Sequence, residues 1–213
     1  MKFTLYTADC SGNEQNCQYP HEVHVDSADS LSAAAAKDHV CASFKDNHRS
    51  VADFMACDVI MLDCDNDHSE DSAAWVTSEQ LAAMMPDLAF AATPSRHDRQ
   101  EKDGKSARPR WHAYFPVNIL ITAQKCRALK AAVQAKFPFF DPNCLDAARF
   151  VYGSEAGAPF WHEGSKTIDQ MLQPAHTEHS IPAGQRNSTM SHFAGRVVKR
   201  YGATDRAHEI FME

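Results

Sequence analysis

The sequence predicts an α+β domain, a sheet with helices packed on it. Two patterns carry that expectation. Short apolar or alternating runs, bounded by polar residues, read as strands, and they mix with stretches of helical spacing. The composition is that of an ordinary globular chain: 213 residues, 44% apolar and 23% charged, enough for one sizeable core.

Residues 1–26 read as strand and loop, with Thr4-Leu5-Tyr6 extended and a polar loop over 10–18. Residues 27–47 read as a helix: Ser27 or Asp29 offers a cap, and Leu31, Ala35, Val40 and Phe44 recur at roughly helical spacing. Over 58–65 the pattern changes. Val59-Ile60-Met61-Leu62 is a continuous apolar run bounded by acids, the signature of a strand buried on both faces. A second helix is expected over 78–85, with Thr77 and Gln80 as a capping box and Pro86 as its stop. Residues 88–93 are a candidate strand, 94–110 a polar basic loop, and 111–117 an alternating, aromatic-rich strand. A third helix over 122–136 takes Thr122 as cap and points Cys126, Leu129 and Val133 inward; 148–152 is another candidate strand.

A domain boundary is expected near 175. Residues 174–184 are linker-like, and 187–202 read as an amphipathic helix with Phe193, Val197, Val198 and Tyr201 on one side. The division is therefore 1–175 and 176–213. No internal repeat is visible.

No apolar run approaches the roughly 20 residues of a membrane span, and no signal peptide is visible. Seven scattered cysteines without a CxxC pair read as reduced thiols of a cytoplasmic protein. Cys10, Cys17, His21 and His24 fit no standard zinc spacing, so zinc is not expected.

The net charge of −7 argues at first against a polyanionic partner. It hides a segregation. Residues 51–95 hold nine acids and no Lys or Arg, whereas 96–136 hold ten Lys and Arg against three acids. An acidic segment is followed directly by a basic one.

Three groups of residues can carry chemistry. Asp63-Cys64-Asp65 ends the buried strand, and positions i and i+2 share a face. Two carboxylates that close repel unless a cation lies between them or one is protonated. Hard ions such as Mg²⁺ or Mn²⁺ take such oxygens. A solvated acidic loop reads the same way. In Arg110-Trp111-His112-Ala113-Tyr114-Phe115, alternation puts His112 and Tyr114 on one face and the bulky residues 111, 113 and 115 on the other. Asp146, finally, precedes an apolar strand with Arg149 three residues on.

Together and in this order the three resemble the archaeo-eukaryotic primase superfamily, and more closely its primase-polymerase branch from plasmids, phages and integrated elements. That family carries hydrophobic-Asp-x-Asp/Glu, Ser-x-His and hydrophobic-Asp motifs. Here they look like Leu62-Asp63-Cys64-Asp65, Arg110-Trp111-His112 and Leu145-Asp146. Asp65-Asn66-Asp67, Ser95-Arg96 and Asp146-x-x-Arg149-Phe150 add to the resemblance, which covers roughly residues 25–170. Arg110 stands where the family has Ser, which removes that hydroxyl but not the histidine. Residues 181–187 and the helix after them resemble the start of a helical primase C-terminal module.

The resemblance implies an RRM-like antiparallel or mixed sheet with packed helices, an N-terminal αβ unit and a short helical C-terminal tail. It implies template-dependent nucleotidyl transfer, with Asp63, Asp65 and Asp146 holding two Mg²⁺ or Mn²⁺ ions. His112 would bind nucleotide phosphates. Arg110, Arg108, Lys105 and Arg149 would contact the triphosphate, and Arg96, Arg99 and Lys102 the DNA. The implied partners are a DNA template and primer, NTP or dNTP, and a helicase or C-terminal domain in a longer replication protein. Two other readings stand beside this one: a metal-dependent nuclease using the same carboxylates, and a non-catalytic DNA-binding module of a replication initiator.

Overall fold

In a computed structural model of the chain, which describes residues 1–172, the apolar run at 59–62 forms the middle of the longest strand. Strands β1 (Phe3–Thr7) and β2 (His21–Val25) open the chain as an antiparallel pair. Helix α1 (Ala28–Ala35) starts at Ser27 in a reciprocal cap: the Ser27 hydroxyl accepts the Ser30 N–H, and the Ser30 hydroxyl accepts the Ser27 N–H.

The helix ends at Ala35 and not at 47, and the reason is Asp38. This fully buried carboxylate accepts the backbone N–H groups of Gly12, Asn13 and Gly153 at 2.8, 2.8 and 2.7 Å. A short acidic side chain offers the backbone an alternative to helical bonding. Chain past Asp38 becomes two short strands, β3 (His39–Val40) and β4 (Ser43–Phe44). Val40 and Phe44 are buried as strand residues, not on a helix face.

Strand β5 (Phe54–Cys64) starts earlier than predicted and stops one residue short of Asp65. Helix α2 (Ser78–Met84) begins with the predicted Thr77–Gln80 box. Strand β6 (Phe90–Pro94) follows, then β7 (Trp111–Leu120) and α3 (Ala123–Lys136), capped by Thr122 as expected. In α3, Cys126 and Val133 are buried and Leu129 partly so, as predicted; Lys130 is buried too, its ammonium donating to the Asp146 carbonyl at 2.9 Å. Strand β8 shrinks to Phe150–Val151. Strand β9 (Phe160–His162) and helix α4 (Ile168–Leu172) had no clear sequence signal.

The strands form two sheets. The order β2-β1-β3-β8 makes one and β4-β5-β7-β6-β9 the other, each antiparallel throughout. The α+β class and the N-terminal αβ unit hold. Alternation along β5 explains the layering. Val59 and Met61 face a cluster with Phe3, Leu5, Val25, Leu31 and Val151, between the two sheets. Ile60 and Leu62 face the other way, into a larger cluster with Leu81, Phe115, Val133 and Phe140 beneath the helices. The central strand is thus buried on both faces, as its composition predicts. Asp63 continues the face of Val59 and Met61, so the strand end opens where the two sheets meet. The boundary near 175 and the helix expected over 187–202 lie outside the described residues. Among the described residues no helix is long and apolar enough to cross a membrane.

Candidate active site

Strand register builds the site. In the β5–β7 ladder Asp63 lies directly opposite His112, and on the other side His112 faces Thr93 of β6. Neighbouring antiparallel partners on one face are close enough to interact, and His112 Nε2 lies 3.2 Å from Asp63 Oδ1. The second oxygen, Oδ2, accepts from the Arg149 guanidinium at 3.1 Å. Main-chain bonds fix the same residue. The Asp63 N–H donates to Cys144 Sγ at 3.4 Å, and its carbonyl accepts the Asp141 N–H at 2.8 Å.

Beyond Cys64 the chain turns at Asn66, a fully buried residue with a positive φ of 53°. Asn tolerates that left-handed conformation better than most side chains. Its amide donates to the carbonyls of Val76 and Pro109 and its oxygen accepts the Val76 N–H. The turn sets Asp65 and Asp67 towards the basic loop. Lys102 Nζ lies 3.8 Å from Asp65 Oδ2 and Arg110 Nε 4.0 Å from Oδ1. Burial raises the Asp65 carboxyl above its usual range, and Asp63 and Asp67 push the same way against Lys102 and Arg110. Burial likewise lowers the pKa of His112, opposed by Asp63 and Asp65, and keeps the ring neutral.

These groups line a cleft of about 250 Å³. Asp63 and Asp65 share it with Arg96, Lys102, His112 and Arg149. Ser95, His97, Phe150 and Tyr152 complete the walls, with the Arg96 guanidinium 3.8 Å over the Tyr152 ring. A second cavity, of about 340 Å³, borders Asp65 from the other side and is lined by Asp67, His68, Lys105, Phe139 and Asp141 among others.

The structure therefore gathers Asp63, Asp65, His112, Arg149, Arg96 and Lys102 in one place. It sets other predicted residues apart. Asp146 lines a different cavity, with Val51, Arg127 and Leu145, and its carboxylate accepts the Ala148 N–H. The physical reason is local: Leu145-Asp146 follows the short 3-10 turn Pro142–Cys144 and precedes the strand by several residues, so Asp146 caps a turn. Arg108 is fully buried. It donates to the carbonyls of Asn66, Ser69 and Ser106, to the Ser106 hydroxyl, and to Glu70 at 2.6 Å. Arg110 is also buried, donating to the Gln100 carbonyl at 2.6 Å and lying 3.8 Å from Asp67. Both hold the loop and neither lines the cleft; Arg110 Nε, which has no hydrogen-bond partner, faces Asp65 Oδ1 at 4.0 Å. Lys105 pairs with Asp67 at 2.8 Å beside the second cavity, and Arg99 points to a separate pocket near α2.

Two residues that were assigned no role from the sequence matter here. Phe140-Asp141 is also a hydrophobic–Asp pair, and its backbone is tied to Asp63. The Asp141 carboxylate accepts from the Asn143 N–H and side-chain amide at 2.8 and 2.9 Å. Ser95 donates its N–H to the Arg110 carbonyl at 2.8 Å, so a cleft hydroxyl stands across the ladder from the arginine that replaces the motif serine.

Among the described residues, no three His, Cys, Asp or Glu side chains converge as a metal-ligand set. The donor chemistry still fits Mg²⁺ or Mn²⁺. Mg²⁺ usually takes one or two carboxylates together with substrate phosphates and waters, not an all-protein cage. Asp63 and Asp65 supply two carboxylates beside cations suited to those phosphates.

Comparison with solved structures finds similarity to the AEP domain of the primase-polymerase of cyanophage S-2L, at 13% identity and a TM-score of 0.45, over 81% of this chain and 88% of that one. No protein-family model matches the chain. No curated protein matches it either.

Proposed function

We propose that the cleft carries out divalent-metal-dependent nucleotidyl transfer to a nucleic-acid 3′ end, making or extending primers on a DNA template in the replication of a mobile element, phage or plasmid. The observation that supports this is the pairing of Asp63 and Asp65 with Lys102, Arg149, Arg96 and His112 on one cleft, which meets a second cavity at Asp65. Carboxylates alone suit a metal, and cations alone suit a phosphate. Their combination suits a metal–polyphosphate substrate.

The reaction needs two reactants on opposite sides of one phosphorus atom. The cationic cleft takes the triphosphate. Lys102, Arg149 and Arg96 neutralise its oxygens, the neutral His112 ring and the Ser95 hydroxyl offer hydrogen bonds, and Phe150 and Tyr152 supply an apolar wall. The second cavity, with Phe139 as a stacking surface, takes the strand that ends in the attacking hydroxyl. That hydroxyl gives its proton to water and forms a new P–O bond at the α-phosphate as the bond to pyrophosphate breaks, in line, the electron pair leaving with pyrophosphate. Asp63 and Asp65 would hold a divalent ion, which would supply Lewis acidity and charge neutralisation there. Asp141 borders the attacking side, so it takes the place of the third acid that the motif reading gave to Asp146.

The test is a primed template incubated with labelled dNTP or NTP and Mg²⁺ or Mn²⁺. The wild-type chain extends the primer, and Asp63→Asn lowers the rate by about 10³-fold, the scale of losing a principal electrostatic group. Asp141→Asn impairs extension far more than Asp146→Asn. Strand cleavage without extension assigns the carboxylates to a nuclease, and binding without either leaves a DNA-binding module.

A further inference from the structure

The carboxylates of the cleft are not waiting with open coordination sites. Each of their four oxygens faces a group of this chain. Asp63 Oδ1 faces His112 Nε2 at 3.2 Å and Oδ2 faces Arg149 at 3.1 Å; Asp65 Oδ2 faces Lys102 at 3.8 Å and Oδ1 faces Arg110 at 4.0 Å. These partners differ in mobility. Arg110 is buried and fixed by carbonyls, and His112 is fixed in the ladder. Arg149 and Lys102 have side chains 41% and 37% exposed, on a surface that also lines the cleft. They alone can turn away without breaking the fold.

We infer that Arg149 and Lys102 are exchangeable counter-ions: they neutralise Asp63 and Asp65 in the empty cleft and transfer to polyphosphate oxygens when a divalent cation takes the carboxylates. The inference rests on the assignment of the cleft to a metal–polyphosphate substrate made above. Two consequences follow from the electrostatics. A divalent cation arriving alone must displace Arg149 and leave it without a partner, so it binds weakly. A polyphosphate gives the displaced guanidinium and ammonium new anions, so each ligand favours the other, reciprocally. Arg149, which donates to Asp63 Oδ2 at 3.1 Å, lies closer to its carboxylate than Lys102, at 3.8 Å from Asp65 Oδ2, and is the stronger of the two counter-ions.

The experiment measures binding, not catalysis, on the full chain. Mn²⁺ alone, and separately inorganic triphosphate alone, are titrated into wild type, Arg149→Gln, Arg149→Gln/Asp63→Asn and Arg96→Gln. Arg149→Gln is expected to bind Mn²⁺ about 3- to 10-fold more tightly, the range of a partly exposed ion pair converted to affinity, and triphosphate weaker by a similar factor. Adding Asp63→Asn abolishes the gain in Mn²⁺ affinity. Arg96 lines the same cleft but sits on Tyr152, not on a carboxylate, so Arg96→Gln leaves Mn²⁺ affinity within about twofold. The inference is overturned if Arg149→Gln weakens Mn²⁺ binding or leaves it unchanged, if its triphosphate affinity does not fall, if the double variant keeps the gain, or if Arg96→Gln tightens Mn²⁺ equally. Primer extension absent with these opposite shifts intact would sink the nucleotidyl-transfer reading alone. Extension present without them would sink the exchange alone.

Discussion

Arg110 and Arg149 both approach the acidic end of β5, one from inside the protein and one from the solvent side. Arg110 is 1% exposed and bound to loop carbonyls; Arg149 is 41% exposed at its side chain and touches Asp63 at the rim of a cleft. The same division runs through the other polar groups. Arg108 is buried among the carbonyls of Asn66, Ser69 and Ser106, whereas Lys102 lines the cleft. His39 is fully buried, its Nδ1–H donating to the Lys37 carbonyl and its Nε2 accepting from the Tyr114 hydroxyl, both at 2.8 Å, whereas His112 faces Asp63. The difference teaches that charge around one cleft can have two jobs. The inner set fixes where the acids stand, and the outer set stands exposed on the cleft, where the proposed substrate would meet it. Residue type does not separate them. Accessibility and the number of committed hydrogen bonds do.

Variants can break that division. Arg108→Ala should have the largest effect on stability, about 2–4 kcal/mol, because it leaves buried carbonyls without donors and removes the guanidinium 5.2 Å from the Trp75 ring. Chemical denaturation measures it; a loss below about 0.5 kcal/mol, the range of an ordinary surface site, would place Arg108 in the outer set.

His39 should show itself through pH. Burial lowers its pKa from 6.5 to about 4. The native ring stays neutral while the unfolded one takes a proton, so stability present above pH 6.5 is lost as pH falls towards 4 and then levels off. The loss is on the order of 3 kcal/mol at most. His39→Gln should flatten that slope of stability against pH between 6.5 and 4. An unchanged slope would assign the titration elsewhere.

The smallest stability effect belongs to the outer set. Lys102→Gln should raise the apparent KM for nucleotide about tenfold, one lost charge–phosphate contact. Its melting temperature should move by less than about 2 °C. A large drop in melting temperature would make Lys102 a second Arg108.

Much of the body was legible because long periodic runs leave little choice. Val59 to Leu62 had to be a strand buried on both faces, Thr77 and Gln80 had to open a helix, and alternation from Trp111 to Phe115 put His112 on the face it occupies. Strands β3 and β4, two residues each, span a single alternation period and leave no pattern of their own. What makes them strands is tertiary: Asp38, with no helical or strand signature of its own, collects three N–H groups from two distant segments. The candidate cleft was legible where its residues sat on a strand or just past one, at Asp63, His112 and Asp65. It was not where two similar acids compete. Asp141 and Asp146 each follow an apolar residue, and only the tertiary fold sets them apart: the Asp141 N–H bonds the Asp63 carbonyl, whereas Asp146 lines another cavity.

The contact between Arg149 and Asp63 spans 86 residues of chain. Contacts of such sequence separation carry a large loop-closure cost and tend to form late in folding. During synthesis the strand bearing Asp63 and the ladder to His112 can assemble while residue 149 is still inside the ribosome. The cleft then has its carboxylates and its histidine but not its outermost cation. Completion of the cleft is in this way coupled to completion of the domain: a nascent or truncated chain lacking Arg149 leaves Asp63 Oδ2 without its counter-ion, and only the finished fold supplies it.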